Sequence, residues 1–131
     1  MRIAAIDPMD TRTFELNVAG PAALLVAKLH KIGERQHVPG RLVDKDAHDI
    51  YRLLVAIDTH SLAQTLGNLR AHHFCGPVTQ EALTLLSHLF AAGPHAPGSH
   101  MAGRAEELVG DPAVVSASAA LLANDLLAQL A

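Results

Sequence analysis

Aliphatic residues recur every three or four positions through most of this 131-residue chain, as Leu25, Leu29 and Ile32 illustrate. This is the period at which one face of an α-helix meets a core. Only 3% of the residues are aromatic although 50% are hydrophobic, so the core has to be built from aliphatic side chains, as in packed helices. The chain length suits one domain. We therefore expect a mainly α fold in a single domain over residues 1–131.

Proline, glycine and helix-capping residues divide this pattern into a bundle of about five helices. Capping aspartates and first-turn prolines are the strongest of these signals. We expect the first helix to end near Gln36 and the second near Ile57, with a loop between them around Pro39-Gly40. The expected helix starts are Pro21, Asp44, Asp58 or Thr59, Gly76-Pro77 and Asp111-Pro112.

Two parts of the chain lack the helical pattern. Residues 1–19 contain two short, partly alternating runs around an Asp-Pro turn, which predicts a β-strand pair before the bundle. Residues 93–103 (GPHAPGSHMAG) are rich in Gly, Pro and His, which predicts an exposed, mobile loop. The helices, including a charged hairpin, are then expected in residues 20–92, and a C-terminal helical part in residues 104–131.

Charged residues border the apolar stripes of the first two helices. Lys28, Lys31 and Arg35 are spaced i, i+3 and i+7, and Asp46 and Asp49 are spaced i and i+3, so each set shares one helix face. If the helices pack antiparallel, the basic set meets the acidic set. The spacing allows an ion-pair network that fixes helix register, with Arg35 bonded to Asp49 or Asp46, or a wall of a polyphosphate site. Both interpretations can hold together.

Charge and composition weigh against several classes of function. The formal net charge of −3 gives no basic footprint, so we expect no nucleic acid partner for the isolated chain. The single cysteine, Cys75, excludes an internal disulfide. No N-terminal apolar run resembles a signal peptide or a membrane span, so we expect a cytoplasmic protein without membrane contact.

The nine histidines do not form a recognisable metal motif. No two histidines fall at i and i+4 on a predicted helix, and Cys75 has no spaced partner that completes a tetrahedral set. The clusters His72-His73 and His95 with His100 are expected to be structural or exposed. We therefore predict no metal site and no cofactor for the chain alone.

One segment resembles a known family. The order V-x-x-P-x-x-L-L-x-x-K-L-x-x-x-x-x-R, a short loop and K-D-x-x-D-I-Y-R-L-L resembles the C-terminal helical half of the abortive-infection (AbiEii/AbiGii toxin-type) nucleotidyltransferases. The matching residues are Val18, Pro21, Leu24, Leu25, Lys28, Leu29, Arg35, Lys45, Asp46, Asp49, Ile50, Tyr51, Arg52, Leu53 and Leu54. The resemblance is concentrated in residues 18–54 and extends only loosely beyond them.

The resemblance implies a role for each charged residue of the hairpin. Lys28 and Asp46 would be the catalytic residues that the helical half supplies, and Arg35, Asp49 and Lys31 would support them. In the family, a strand-based half adds a Gly-Ser or Gly-Thr turn and an acid-x-Asp pair that holds magnesium, and it binds the NTP.

That nucleotide-binding half has no counterpart before residue 18. Asp44-Lys45-Asp46 has the Asp-x-Asp pattern but lacks the preceding Gly-Ser turn. We therefore expect a module that is inactive alone and acts through a nucleotide-binding partner chain, or a truncated form of a longer protein. One alternative is a non-enzymatic helical protein that homodimerises through its short strands or through the Ala- and Leu-rich segment 117–131. Another is a nucleotidyltransferase that is active as it stands.

Overall fold

A computed structural model describes residues 20–35, 41–107 and 109–131, and the predicted strand pair lies outside these ranges. The described residues are mainly helical, which confirms the predicted fold class in that respect. We number the helices α1 to α6 in chain order. They are α1 (Pro21–Arg35), α2 (Arg41–Ala56), α3 (Thr59–Ala71), α4 (Gly76–Leu86), α5 (Pro97–Ala105) and α6 (Pro112–Leu130).

The aliphatic spacing of the sequence becomes one continuous core. α1 and α2 form the predicted antiparallel hairpin, α1 also packs on α4, and α2 packs on α5. The helix α6 lies against α3, α5 and the turn after α4. The largest fully buried aliphatic side chains come from five helices, and they are Leu25, Leu29, Ile32, Ile50, Leu66, Leu86 and Leu126.

Two of the predicted helix caps are confirmed. The carboxylate of Asp58 accepts a hydrogen bond from the backbone N–H of Ser61 at the start of α3. Asp111 caps α6 in the same way, and Pro112 occupies its first turn. The prediction for Asp44 is wrong, because α2 already begins at Arg41 and Asp44 lies within its first turn. The Asp44 carboxylate instead accepts hydrogen bonds from Arg104 of α5.

The predicted loop at residues 93–103 is correct for residues 93–96, which are not helical, and wrong for residues 97–103. Its second half forms the start of α5, where Pro97 occupies the first turn and Met101 is buried. Gly98 allows this packing, because a Cβ at that position would lie 2.7 Å from the carbonyl oxygen of Leu89. The residues that suggested a mobile loop are therefore the small residues that let a short helix approach the core closely.

The chain leaves α4 through a widened helical turn, the π-helical segment Ser87–Ala91. Such turns leave backbone carbonyl groups open to other donors. Ser99 of α5 donates a hydrogen bond to the carbonyl of Phe90 at 2.9 Å, and Asn124 of α6 donates one to the carbonyl of Ala91 at 2.8 Å. The turn thus joins α5 and α6 to the rest of the bundle.

One described helix, α6, is long and apolar enough to cross a membrane, with 19 residues and a mean hydropathy of 1.5. Length and composition alone do not separate a membrane span from the core helix of a soluble protein. In this fold α6 buries Val115, Ala119, Ala123 and Leu126 against its neighbours. These contacts account for part of its apolar character.

Candidate functional site

The charged cluster lies where α1 and α2 pack against each other. Lys28 sits on α1 beside the buried Leu29, and its ammonium nitrogen points across to two carboxylates of α2. The distances from Lys28 Nζ are 3.3 Å to Asp46 Oδ1 and 3.1 Å to Asp49 Oδ2. The side chain of Lys28 keeps 21% of its surface exposed, so the cluster forms the rim of the core and remains in contact with solvent.

Asp46 is the most buried member of the cluster. Its side chain is only 7% exposed, and Lys31 Nζ lies 3.2 Å from its Oδ2 in addition to the contact with Lys28. Asp49 is more open, and its second partner is Lys45, one turn earlier on α2, at 3.5 Å. Two carboxylates are therefore held by three ammonium groups, which leaves one positive charge in excess.

The electrostatics of the cluster favour its ionised form. The hydrogen bond to Asp49 is the main cause of a raised pKa for Lys28, and it outweighs the opposing effect of burial. Partial burial by itself would raise the pKa of Asp49, but the hydrogen bond and charge of Lys28, together with Lys45, lower it below the usual value. Lys28 and Asp49 are therefore both charged at neutral pH.

The structure corrects the predicted pairing of Arg35. Within the described residues, Arg35 pairs with neither Asp46 nor Asp49; it is exposed at the end of α1. Asp49 instead bonds Lys28 directly. The predicted Arg35–Asp49 support is wrong, and Lys28 occupies the central place between both aspartates. Helix spacing identified the face on which the cations lie, but it did not show which of them reaches across to α2.

A second charged contact, which the sequence did not predict, lies on the other flank of α2. Arg104 of α5 donates two hydrogen bonds to Asp44, from Nε at 2.8 Å and from Nη2 at 2.6 Å. His48 Nε2 lies 2.6 Å from Glu106 Oε2, just after α5. The i, i+4 spacing of Asp44 and His48 was visible in the sequence, but their partners follow the segment predicted as a loop.

The remaining candidate groups do not form a metal centre in the part of the chain that the structure describes. No group of three or more His, Cys, Asp or Glu side chains there has the arrangement to hold an ion. Cys75 is buried, and the ring Nδ1 of His72 accepts hydrogen bonds from the backbone N–H groups of Phe74 and Cys75. His95 lines a groove of about 570 Å³ between α5 and α6.

The arrangement offers an oriented ammonium group with two carboxylate neighbours. Such a group can neutralise phosphate oxygens or hold a carboxylate in a fixed position. A lysine of this kind does not by itself transfer a phosphoryl or nucleotidyl group, because that chemistry also needs a nucleotide cradle and a metal ion. A site for that chemistry would need both of these in addition to the lysine and the two carboxylates.

Comparison of the chain with family models, with curated proteins and with solved structures finds no match.

Proposed function

We propose that this chain is the helical module of a nucleotidyltransferase-like protein, in which Lys28, Asp46 and Asp49 form one wall of a nucleotide site. A partner chain carrying a Gly-Ser turn and an Asp-x-Asp pair would supply the other wall, with the magnesium ion and the NTP. The observation that carries the proposal is the position of Lys28 Nζ, 3.3 Å and 3.1 Å from two carboxylates at a solvent-accessible edge of the core.

The differing burial of the two aspartates supports a division of roles. Asp46 is 7% exposed and has Lys31 as a second partner, so it is suited to hold Lys28 in place. Asp49 is 24% exposed, so it is better placed to exchange its contact with Lys28 for a contact with an incoming group. A phosphate could then take the place of Asp49 beside the ammonium group. In this scheme Asp46 is the positioning carboxylate.

The test is reconstitution with the product of a neighbouring gene that carries the missing Gly-Ser turn and Asp-x-Asp pair. The two proteins are copurified and then incubated with labelled NTPs, magnesium and RNA or protein acceptors. We expect transfer only from the complex, and a loss of at least about 100-fold for Lys28→Ala, the usual effect of removing one charge-stabilising group. The chain alone is the reference sample.

Lys45→Ala is the matched control. It removes a lysine from the same cluster, but Lys45 is 71% exposed and touches only Asp49 among the cluster carboxylates, at 3.5 Å. The control should retain transfer within severalfold. A complex whose transfer is unaffected by Lys28→Ala, or a chain that binds no such partner, would refute the proposal. Transfer by the chain alone that depends on Lys28 would retain the site and remove the need for a partner.

A second function is favoured by the outer face of α6. Val114 and Leu121 are 56% and 62% exposed, and their i, i+7 spacing places them on one side of the helix. Ala117 lies between them and is also exposed. A non-enzymatic protein that homodimerises through this face is the alternative. Light scattering of the wild type and of Leu121→Lys tests it, because a wild-type monomer at high concentration would exclude it.

A further inference from the structure

The helix α2 carries charged residues on both flanks of its buried face. Successive residues of an α-helix are turned by roughly 100°. Asp44 and His48 therefore project on one flank, whereas Asp46 and Asp49 project on the other, with the fully buried Ile50 on the face between them. The flank with Asp46 and Asp49 meets α1 and forms the candidate site. The opposite flank meets α5.

The contacts to α5 are shorter than those of Lys28 with the carboxylates of the site. Arg104 holds Asp44 with two parallel hydrogen bonds of 2.8 Å and 2.6 Å, a geometry that fixes direction as well as distance. One turn along α2, His48 lies 2.6 Å from Glu106, and the ring of Tyr51 packs 5.7 Å from the imidazole. Two successive turns of α2 are thus attached to α5.

Two attachments one turn apart limit both the rotation of α2 about its axis and its sliding along α5. Rotation would carry Asp46 and Asp49 away from Lys28, since all the side chains of a helix turn with its backbone. We infer that the Arg104–Asp44 and His48–Glu106 contacts position the carboxylates of the site from the opposite side of α2. Arg104 and Glu106 are then positioning residues of the site.

The inference rests on the proposed function only in taking these carboxylates as part of a nucleotide site. Its test needs neither a nucleotide nor a partner. The readout is the titration of the Asp49 side chain, followed by carboxyl carbon NMR of the full chain. The Lys28 hydrogen bond is a main cause of the lowered pKa of Asp49. A rotation of α2 that lengthens this bond therefore raises the pKa of Asp49 toward its usual value. Failure of nucleotidyl transfer would leave this result unaffected.

Two neighbouring substitutions separate position from charge. Glu106→Ala removes the partner of His48, and Glu107→Ala removes the same charge from the next residue, which is exposed. Loss of a negative charge lowers the pKa of other carboxylates through space, so an upward shift can only come from altered geometry. We expect the upward shift of Asp49 for Glu106→Ala and not for Glu107→Ala. Glu106→Gln, which keeps an acceptor for the imidazole, should restore the wild-type titration.

An unchanged Asp49 titration in folded Glu106→Ala would overturn the inference, and so would an equal upward shift in Glu107→Ala. If Glu106→Ala does not fold, Arg104→Lys decides the question. This substitution keeps the positive charge but loses the two-point contact with Asp44. An upward shift of Asp49 in Arg104→Lys supports the positioning role, and no shift refutes it.

Discussion

Lys28 Nζ of α1 lies 3.1 Å from Asp49 Oδ2 of α2 across the helix hairpin, and it also lies 3.3 Å from Asp46 Oδ1. Together with Lys31, which lies 3.2 Å from Asp46, this side chain forms the polar edge of a mainly apolar contact between two helices. Ion pairs at such edges stabilise a fold little when they are exposed, but their removal is costly when the partner left behind is buried. The lysines of this cluster differ in burial, so the stability lost on removing each of them can be measured and compared.

Lys28→Ala is expected to lower the free energy of unfolding by about 1 to 3 kcal/mol, less than for a fully buried pair because the lysine is partly exposed. The substitution leaves Asp46, with a 7% exposed side chain, dependent on Lys31 alone. Urea denaturation at neutral pH measures the change. Lys45→Ala, which removes a 71% exposed lysine, should change stability by less than about 0.5 kcal/mol. Equal losses in the two variants would show that Asp46 does not depend on Lys28.

Acid should weaken the hairpin through Asp49. The pKa of this carboxyl is lower in the folded chain than its ordinary value of 3.8, although burial alone would raise it. The folded state therefore binds fewer protons than the unfolded state in this range, and stability rises with pH there. The contribution of Asp49 is complete above the ordinary value and is lost as the pH falls through the lower folded pKa.

Denaturation midpoints measured between about pH 2 and 6 test this expectation. Asp49→Asn should lose stability at neutral pH and show a shallower decline toward acid than the wild type. Asp125→Asn, at an exposed position of α6, is the control and should follow the wild-type curve. If the stability of Asp49→Asn falls toward acid pH as steeply as that of the wild type, other carboxyl groups cause the acid sensitivity.

Most of the helices could be predicted from the sequence because their determinants are local. The spacing of Leu25 and Leu29 sets the buried face of α1, and the cap at Asp58 sets the start of α3. The pairing of charges across the hairpin could not be predicted to the residue. Which cation reaches a carboxylate depends on helix rotation and separation, and these are set by the whole core. Arg35 has a suitable spacing but lies too near the end of α1.

The helix α5 was missed for a different reason. Gly98 and Ser99 usually interrupt helices, and in this chain they serve close packing instead. Ser99 is fully buried and bonds the carbonyl of Phe90, a partner nine residues away that the sequence does not reveal. Pro97 at the first helical turn was the one local signal that favoured a helix. Missing α5 also hid Arg104, and with it the second flank of α2.

The start of α6 depends on Asp111. Its carboxylate accepts hydrogen bonds from the N–H groups of Ala113 at 3.0 Å and Val114 at 3.4 Å. Asp111→Ala leaves these groups without that partner and is expected to cost about 1 kcal/mol. Asp111→Asn retains an oxygen acceptor, and Asn and Asp are roughly equally favoured at this position of a helix. Its free energy of unfolding should therefore lie within a few tenths of a kcal/mol of the wild-type value. Thermal denaturation compares the two, and an equal effect would argue against the cap.

The helix α5 approaches α6 closely at Gly103. A Cβ there would collide with the Ser116 hydroxyl and would lie 2.6 Å from the carbonyl oxygen of Pro112. Gly103→Ala is therefore expected to push the helices apart and to destabilise the fold by about 1 to 3 kcal/mol, despite the better helix propensity of alanine. Ser116→Ala should not rescue it, because the Pro112 carbonyl belongs to the backbone.

Gly67 provides the matched control within α3. A Cβ at Gly67 meets only Leu130 at 3.8 Å, an ordinary contact, so Gly67→Ala should stabilise the protein by about 0.5 to 1 kcal/mol. Urea denaturation of the two alanine variants then gives opposite signs for the same chemical change. A Gly103→Ala protein as stable as Gly67→Ala would show that α5 and α6 separate without cost. That result would also weaken the positioning role of α5, because a helix that moves freely on α6 cannot fix the orientation of α2.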